Sequence, residues 1–367
     1  MSKKLLIVIG AGASKEFDLP IGNELKTQIS RALNFKVERG GYDISGGDEV
    51  IFQALNIESQ IPGNNYGALF SAAKHIFRAI PQAQSIDNFI DAHANNKCIE
   101  LVGKLAITSC ILKAERNSKL YINQRSGNST LDFSKLEDVW LTKFMRILVE
   151  NSRLEDMPER MKSVSMIIFN YDRCVEHFLM HALANYYGIG LEKSQELVEM
   201  MHIYHPYGTV GSLKYNGSVT YDGSQNYNGS SQVIGFGAEP DGKLLLALSK
   251  GIKTFSEGTD ESTSDIAEIR SLVKNVPTTI WLGFAFHHLN MRLLSNSFVS
   301  KISDHGEKQS FATAYGMSKH DTLLIAEEIE RITSVAKYSK TLNANVRNDV
   351  QCYQLFGEYT RSISLVN

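Results

Sequence analysis

An aliphatic run, Leu5-Leu6-Ile7-Val8-Ile9, passes without a break into Gly10-Ala11-Gly12-Ala13-Ser14. Five apolar residues with no polar alternation describe a strand buried on both faces, the condition of a strand inside a parallel sheet covered by helices. Parallel strands need long crossover connections, so a chain that opens this way is committed to alternating strands and helices. Glycines directly after such a strand let the backbone turn tightly and bring amides close to a pyrophosphate. The third glycine of the dinucleotide fingerprint is missing, because Ala13, Ser14 and Lys15 follow Gly12. No strand ending in an acidic residue comes about 20 residues later, as hydride-transfer enzymes would have it. By itself the turn fits either nucleotide binding or a plain strand-to-helix turn.

The rest of the chain continues the alternation after one interruption. Residues 22–34, 65–80, 98–115 and 133–151 carry apolar positions at helical spacing with no strand between them, which predicts a helical module inserted at 20–160. The polar stretch from Asn117 to Asp132 reads as its exposed loop. Strand signals return at Val164–Phe169, His202–Tyr204, Thr278–Leu282 and Phe311–Ala314. The expected fold is α/β: a Rossmann-like, doubly wound parallel sheet in a single domain over 1–367, its remainder lying in 161–367. The Gly-, Ser-, Asn- and Tyr-rich run 211–231 reads as an excursion near the site.

Composition narrows the function classes. A net charge of −2 gives no general attraction to nucleic acid or membranes. Cys98, Cys110, Cys174 and Cys352 are far apart with no C-x-x-C pair, so neither a zinc ribbon nor a disulfide framework is expected, and a reduced cytoplasm fits. The apolar N-terminal run is short and enters the glycine turn, unlike a signal peptide. No apolar stretch is long enough to span a membrane.

Four segments fall where strands end, and ligands of open parallel sheets bind there. The first is the glycine turn, with Ser14 placed to bond a phosphate or ribose and Leu19-Pro20-Ile21-Gly22 as a pocket wall or a simple return loop. The second is Phe169-Asn170-Tyr171-Asp172. Asn170 offers donors and an acceptor that orient a water or a ribose hydroxyl, while Asp172 serves as a ligand group or a helix cap. In the third, Pro206 and Gly208 hold His205 on a defined backbone, and an imidazole suits proton transfer from a sugar hydroxyl. The fourth, Trp281 to Asn290, runs through Gly283 and Phe284. Its adjacent His287 and His288 diverge on a helix and lack further ligands, so no metal site is expected.

In their order along the chain these segments resemble the sirtuin superfamily, specifically the bacterial sirtuin-like proteins of antiphage defence. The elements are Gly10–Ser14, Ser85-Ile86-Asp87-Asn88-Phe89, Phe169–Asp172, His205–Gly208, Gly283–Asn290 and Thr313–Ser318. The resemblance implies an NAD-binding fold in which Asn170 and His205 flank the nicotinamide ribose and Asp172 anchors it. It further implies that Gly10, Ala11, Gly12, Ala13 and Ser14 hold the pyrophosphate, with Asp87, Gly283, Phe284, Asn290 and Thr313 completing the NAD site. Deacylase members carry a four-cysteine zinc module after the histidine, a Gln where Phe169 stands, and a glycine directly after the histidine. This chain has none of the three. The expected activity is therefore hydrolysis of the nicotinamide–ribose bond of NAD, without metal, as the NAD-depleting effector of a defence system. A nucleotide-sensing regulatory subunit is the alternative, ahead of a deacylase or ADP-ribosyl transferase. Restraint of such an effector is expected from homo-oligomerisation or a partner such as a HerA-like ATPase or another nucleotide-handling subunit.

Overall fold

The computed structural model describes residues 4–36, 44–123, 130–213, 233–262, 264–295, 308–333 and 344–365. The expected excursion at 211–231 lies outside them from 214 onward, as does the centre of the module loop, 124–129.

Six strands form one all-parallel sheet: β1 (Leu5–Ile9), β2 (Val164–Ile168), β3 (His202–Tyr204), β4 (Thr278–Leu282), β5 (Gln309–Thr313) and β6 (Ala344–Arg347). Their spatial order is β3-β2-β1-β4-β5-β6. The fold is thus Rossmann-like and doubly wound, as the sequence predicts. Direction of winding reverses between β1 and β4, whose registers pair Leu5 with Thr278 and Ile9 with Leu282. On its other side β1 pairs Leu5 with Val164 and Ile9 with Ile168.

Between β1 and β2 the described chain is helical: α1 (Ala11–Ser14), α2 (Gly22–Ala32), α3 (Glu49–Ser59), α4 (Tyr66–Ala79), α5 (Ile86–Ala92), α6 (Lys97–Asn117), α7 (Trp140–Val149) and α8 (Met157–Lys162). Helices α9 (Cys174–Tyr187) and α10 (Leu191–Glu199) lead to β3. They are followed by α11 (Gly242–Ser249), α12 (Phe255–Thr259), α13 (Ile266–Asn275), α14 (His288–Leu294), α15 (Lys319–Thr333) and α16 (Cys352–Ile363). The predicted helix at 133–151 is broken, with a 3-10 turn at Phe133–Leu136 before α7. Helices α3 and α5 and strand β6 add to the elements expected.

Strand alternation divides the interior into two cores. Leu6 and Val8 face one, shared with the module helices α2 to α6 and with α11 and α15. Leu5, Ile7 and Ile9 face the other, built with α7 to α10 and α16. β1 is therefore buried on both faces, which accounts for its unbroken aliphatic sequence.

Candidate functional site

The carboxyl ends of β1, β2, β4 and β5 open into a cavity of about 840 Å³ at the reversal of winding, where open α/β sheets bind ligands. Gly10, Ala11 and Gly12 line it from β1, Asn170 and Asp172 from β2, Gly283, Phe284 and Asn290 from β4, and Thr313 from β5. Asp87 reaches it from α5 of the helical module. Ala13, Ser14 and His205 are not among its lining residues.

The glycine turn is shaped first by its neighbour. Gly10 N–H donates to the Leu282 carbonyl and Gly12 N–H to the Gly283 carbonyl, each at 2.9 Å. Ala13 N–H donates back to the Gly10 carbonyl at 3.0 Å. A Cβ on Gly12 would stand 2.8 Å from Gly283 Cα, and one on Gly283 only 2.1 Å from Ala13 N. Gly283 also has φ +54°, a left-handed conformation that side chains disfavour. The Thr313 hydroxyl accepts the Gly283 N–H at 2.8 Å, fixing this turn from β5. Three of the amides expected to cradle a pyrophosphate are thus already bonded within the protein, and these glycines are required by backbone-to-backbone approach.

Ser14 organises the end of β2. Its hydroxyl oxygen accepts from Asn170 Nδ2 at 2.8 Å, and that amide also donates to the Gly10 carbonyl at 3.2 Å. With Nδ2 committed, the acceptor Oδ1 is what Asn170 has for a ligand. The Asp172 carboxyl is buried, accepts from Cys174 N–H at 3.1 Å at the start of α9, whose N-cap is Arg173, and lines the cavity. Burial raises its pKa against the lowering effect of hydrogen bonds from Cys174 and Ser14. The Tyr171 hydroxyl donates to the Asp87 carboxyl, whose pKa burial likewise raises. Tyr171 itself is held well above its ordinary value by burial and by the Asp87 charge. Two further bonds tie the wall together: Gln84 to His287 Nδ1 and the Tyr207 hydroxyl to Asn290 Oδ1, both at 2.8 Å.

Glu16, Tyr171, Tyr207, Gln84, His287 and Cys352 line the cavity or brace it and were not singled out as site residues in the sequence. The half-buried Glu16 carboxylate accepts from Trp140 N–H at 2.7 Å and Tyr353 N–H at 2.9 Å, at the N-termini of α7 and α16. Burial raises its pKa in spite of those bonds. Only contacts 124 and 337 residues away in sequence assign it this role.

His205 lies on the other side of the β2 end, in a second cavity of about 680 Å³. Its Nε2 contacts Glu176 Oε1 at 2.7 Å and its Nδ1 the Asn170 carbonyl at 3.3 Å. Both ring nitrogens face acceptors, so the doubly protonated ring satisfies both contacts. Burial opposes that charge, but the Glu176 carboxylate and the Asn170 carbonyl prevail and raise the histidine pKa. Burial likewise works to raise the Glu176 pKa, and His205 overcomes it and lowers it. The side chains of Asn170 and His205 therefore serve separate cavities, instead of flanking one ribose, and are joined through the Asn170 backbone.

Among the described residues no group of three or more His, Cys, Asp or Glu is arranged to hold a metal, and the four cysteines are free. No helix among them is long and apolar enough to cross a membrane. No protein-family model, curated protein or solved structure matches the chain.

Proposed function

We propose that the protein is an NAD glycohydrolase that cleaves the nicotinamide–ribose bond with water. One observation carries this reading: a cavity of dinucleotide size at the switch point of a parallel sheet has Asn170 and the buried carboxyls of Asp87 and Asp172 in its wall.

Loss of nicotinamide leaves a ribose with oxocarbenium character, so the protein has to hold the dinucleotide, stabilise positive charge and place a water on the open face. Asn170 Oδ1 orients that water or a ribose hydroxyl, its amide clamped by Gly10 and Ser14. Asp87 and Asp172 supply an electronegative part of the wall, and the packed rings of Phe169, Phe284 and Tyr207 supply an apolar part beside it. His205 acts at one remove: bonded to the Asn170 carbonyl and to Glu176, it fixes the backbone that presents the amide. It is a positioning residue in this scheme, and the proton transfer expected of it from sequence is not required.

The test is to incubate the purified chain with NAD and follow free nicotinamide and ADP-ribose by chromatography. Equimolar products are expected, and Asn170→Ala should reduce the rate by about 100-fold or more. Absence of nicotinamide release, or full activity in a folded Asn170→Ala variant, would overturn the proposal. A strong chelator should leave the rate unchanged. Stoichiometric zinc lost together with activity would contradict that expectation.

A further inference from the structure

The second cavity shares no lining residue with the first and has chemistry of its own. Met180, Val198, Met201, Ile203 and Leu248 give it an apolar wall, with methionines whose polarisable side chains adapt to a flat ring. Glu176 brings a carboxylate whose Oε1 is taken by His205, while Oε2 is buried and accepts no hydrogen bond among the described residues. An ionised oxygen left without a donor is costly, and the soft terminal torsion of the carboxyl allows it to turn toward an N–H placed in the cavity. Lys250, which ends α11, and Lys253, three residues further on, line the same space, and neither forms an ion pair with a carboxylate among the described residues.

A ligand that satisfies all three features has a flat apolar body, one N–H donor and an anionic group. We propose that this cavity is a binding site for a purine mononucleotide, with the exocyclic or ring N–H of the base on Glu176, the ring against the methionine wall and the phosphate on Lys250 and Lys253. A volume of about 680 Å³ accommodates such a molecule. The site shares the Glu176–His205 pair with the end of β2 that presents Asn170, but nucleotide binding requires no NAD cleavage and is tested apart from it.

Calorimetric titration of the intact chain with AMP and with GMP tests this. At least one is expected to bind with 1:1 stoichiometry, and the double variant Lys250→Glu/Lys253→Glu should weaken it by about tenfold or more. Lys250 is exposed and Lys253 half-buried, so the double variant should retain the wild-type melting temperature. Asp87→Asn, in the first cavity, should leave nucleotide binding unchanged. Glu176→Gln, which keeps the shape and removes the charge, should also weaken binding. No binding of either nucleotide at millimolar concentration would overturn the proposal. So would binding that Asp87→Asn abolishes and the lysine variant spares, since the nucleotide would then occupy the first cavity. Inorganic phosphate binding as tightly as the nucleotides would overturn it as well, because the base would contribute nothing.

Discussion

The ends of β1 and β4 and the ends of β2 and β3 meet at the same sheet edge and are built on opposite principles. At β1 and β4 the contacts are backbone to backbone: Gly10 on Leu282, Gly12 on Gly283, and Gly283 anchored by Thr313. At β2 and β3 they are made by side chains: Asn170 on Ser14, Asp172 on Cys174, His205 on Glu176. The first pair of ends is rigid because nothing larger than hydrogen fits between them. The second carries polar groups whose protonation and bonding can change. A glycine motif at a strand end is thus a statement about packing before it is one about a ligand, and the chemistry has to be sought one strand over.

Substitution in the glycine seam should break this contrast most severely. Gly283→Ala and Gly12→Val each force a Cβ against facing backbone, and Gly283→Ala adds left-handed strain, for a cost of about 2–5 kcal/mol in stability. Urea denaturation is the measurement. Either variant folding with wild-type stability would show that the seam has slack and that ligand binding, not packing, selects glycine there. Loss of the proposed NAD binding in these variants would then follow from lost structure.

On the other side, His205→Ala should leave the fold intact while costing about 1–3 kcal/mol, because it strips the Glu176 carboxylate of its partner. The cost depends on pH, with the sign set by both members. A histidine whose pKa is raised on folding stabilises fully below its unfolded value of about 6.5, and that contribution is lost as pH rises through the folded value. A glutamate whose pKa is lowered stabilises above about 4.3 and loses that contribution as pH falls through the folded value. The difference between wild type and His205→Ala should be largest between these limits and fade in alkali. A difference independent of pH would mean that the ring contributes packing alone.

Asp87→Asn sharpens the comparison with a smaller effect of opposite sign. Burial raises the Asp87 pKa, so its contribution is fully present below the ordinary carboxylate range and is lost as pH rises through the folded value. The amide cannot ionise and still accepts from the Tyr171 hydroxyl. Melting curves should show the variant more stable than wild type at neutral pH, with the gap closing in acid. A variant less stable at neutral pH would show that the charge is matched by its surroundings. If Asp87 forms part of the electronegative wall as proposed, the same variant loses activity while gaining stability.

The central strands were legible because burial on both faces leaves no freedom in composition: β1, β2 and β4 are fully buried along their length. β6, Ala-Asn-Val-Arg at the sheet edge, is half-exposed and carries no such signature. Helix α5 is only seven residues long and depends on the Ser85 cap, a signal too short for periodicity. For the site, the strand-end rule pointed to Asn170, Asp172 and Gly283, which line one cavity, since that rule follows from topology, whereas Thr313 was pointed to by the resemblance alone. It could not tell which cavity His205 would face, because the direction is set by Glu176 on another helix. Nor could it show that the partner of Gly12 is Gly283, a contact that only the finished sheet creates.

The double cap at Glu16 has a consequence for how the chain comes into being. Its carboxylate belongs to the first turn after β1, and the amides that satisfy it arrive with Trp140 and, 337 residues after Glu16, with Tyr353. Gln351 and Cys352, beside the second of those amides, also form part of the first cavity. A polypeptide emerging from the ribosome N-terminus first therefore carries its opening strand and glycine turn long before the groups that complete their surroundings exist. Assembly of the pocket waits for α16, and a product that lacks α16 is left with a half-buried carboxylate short of a donor and an incomplete wall.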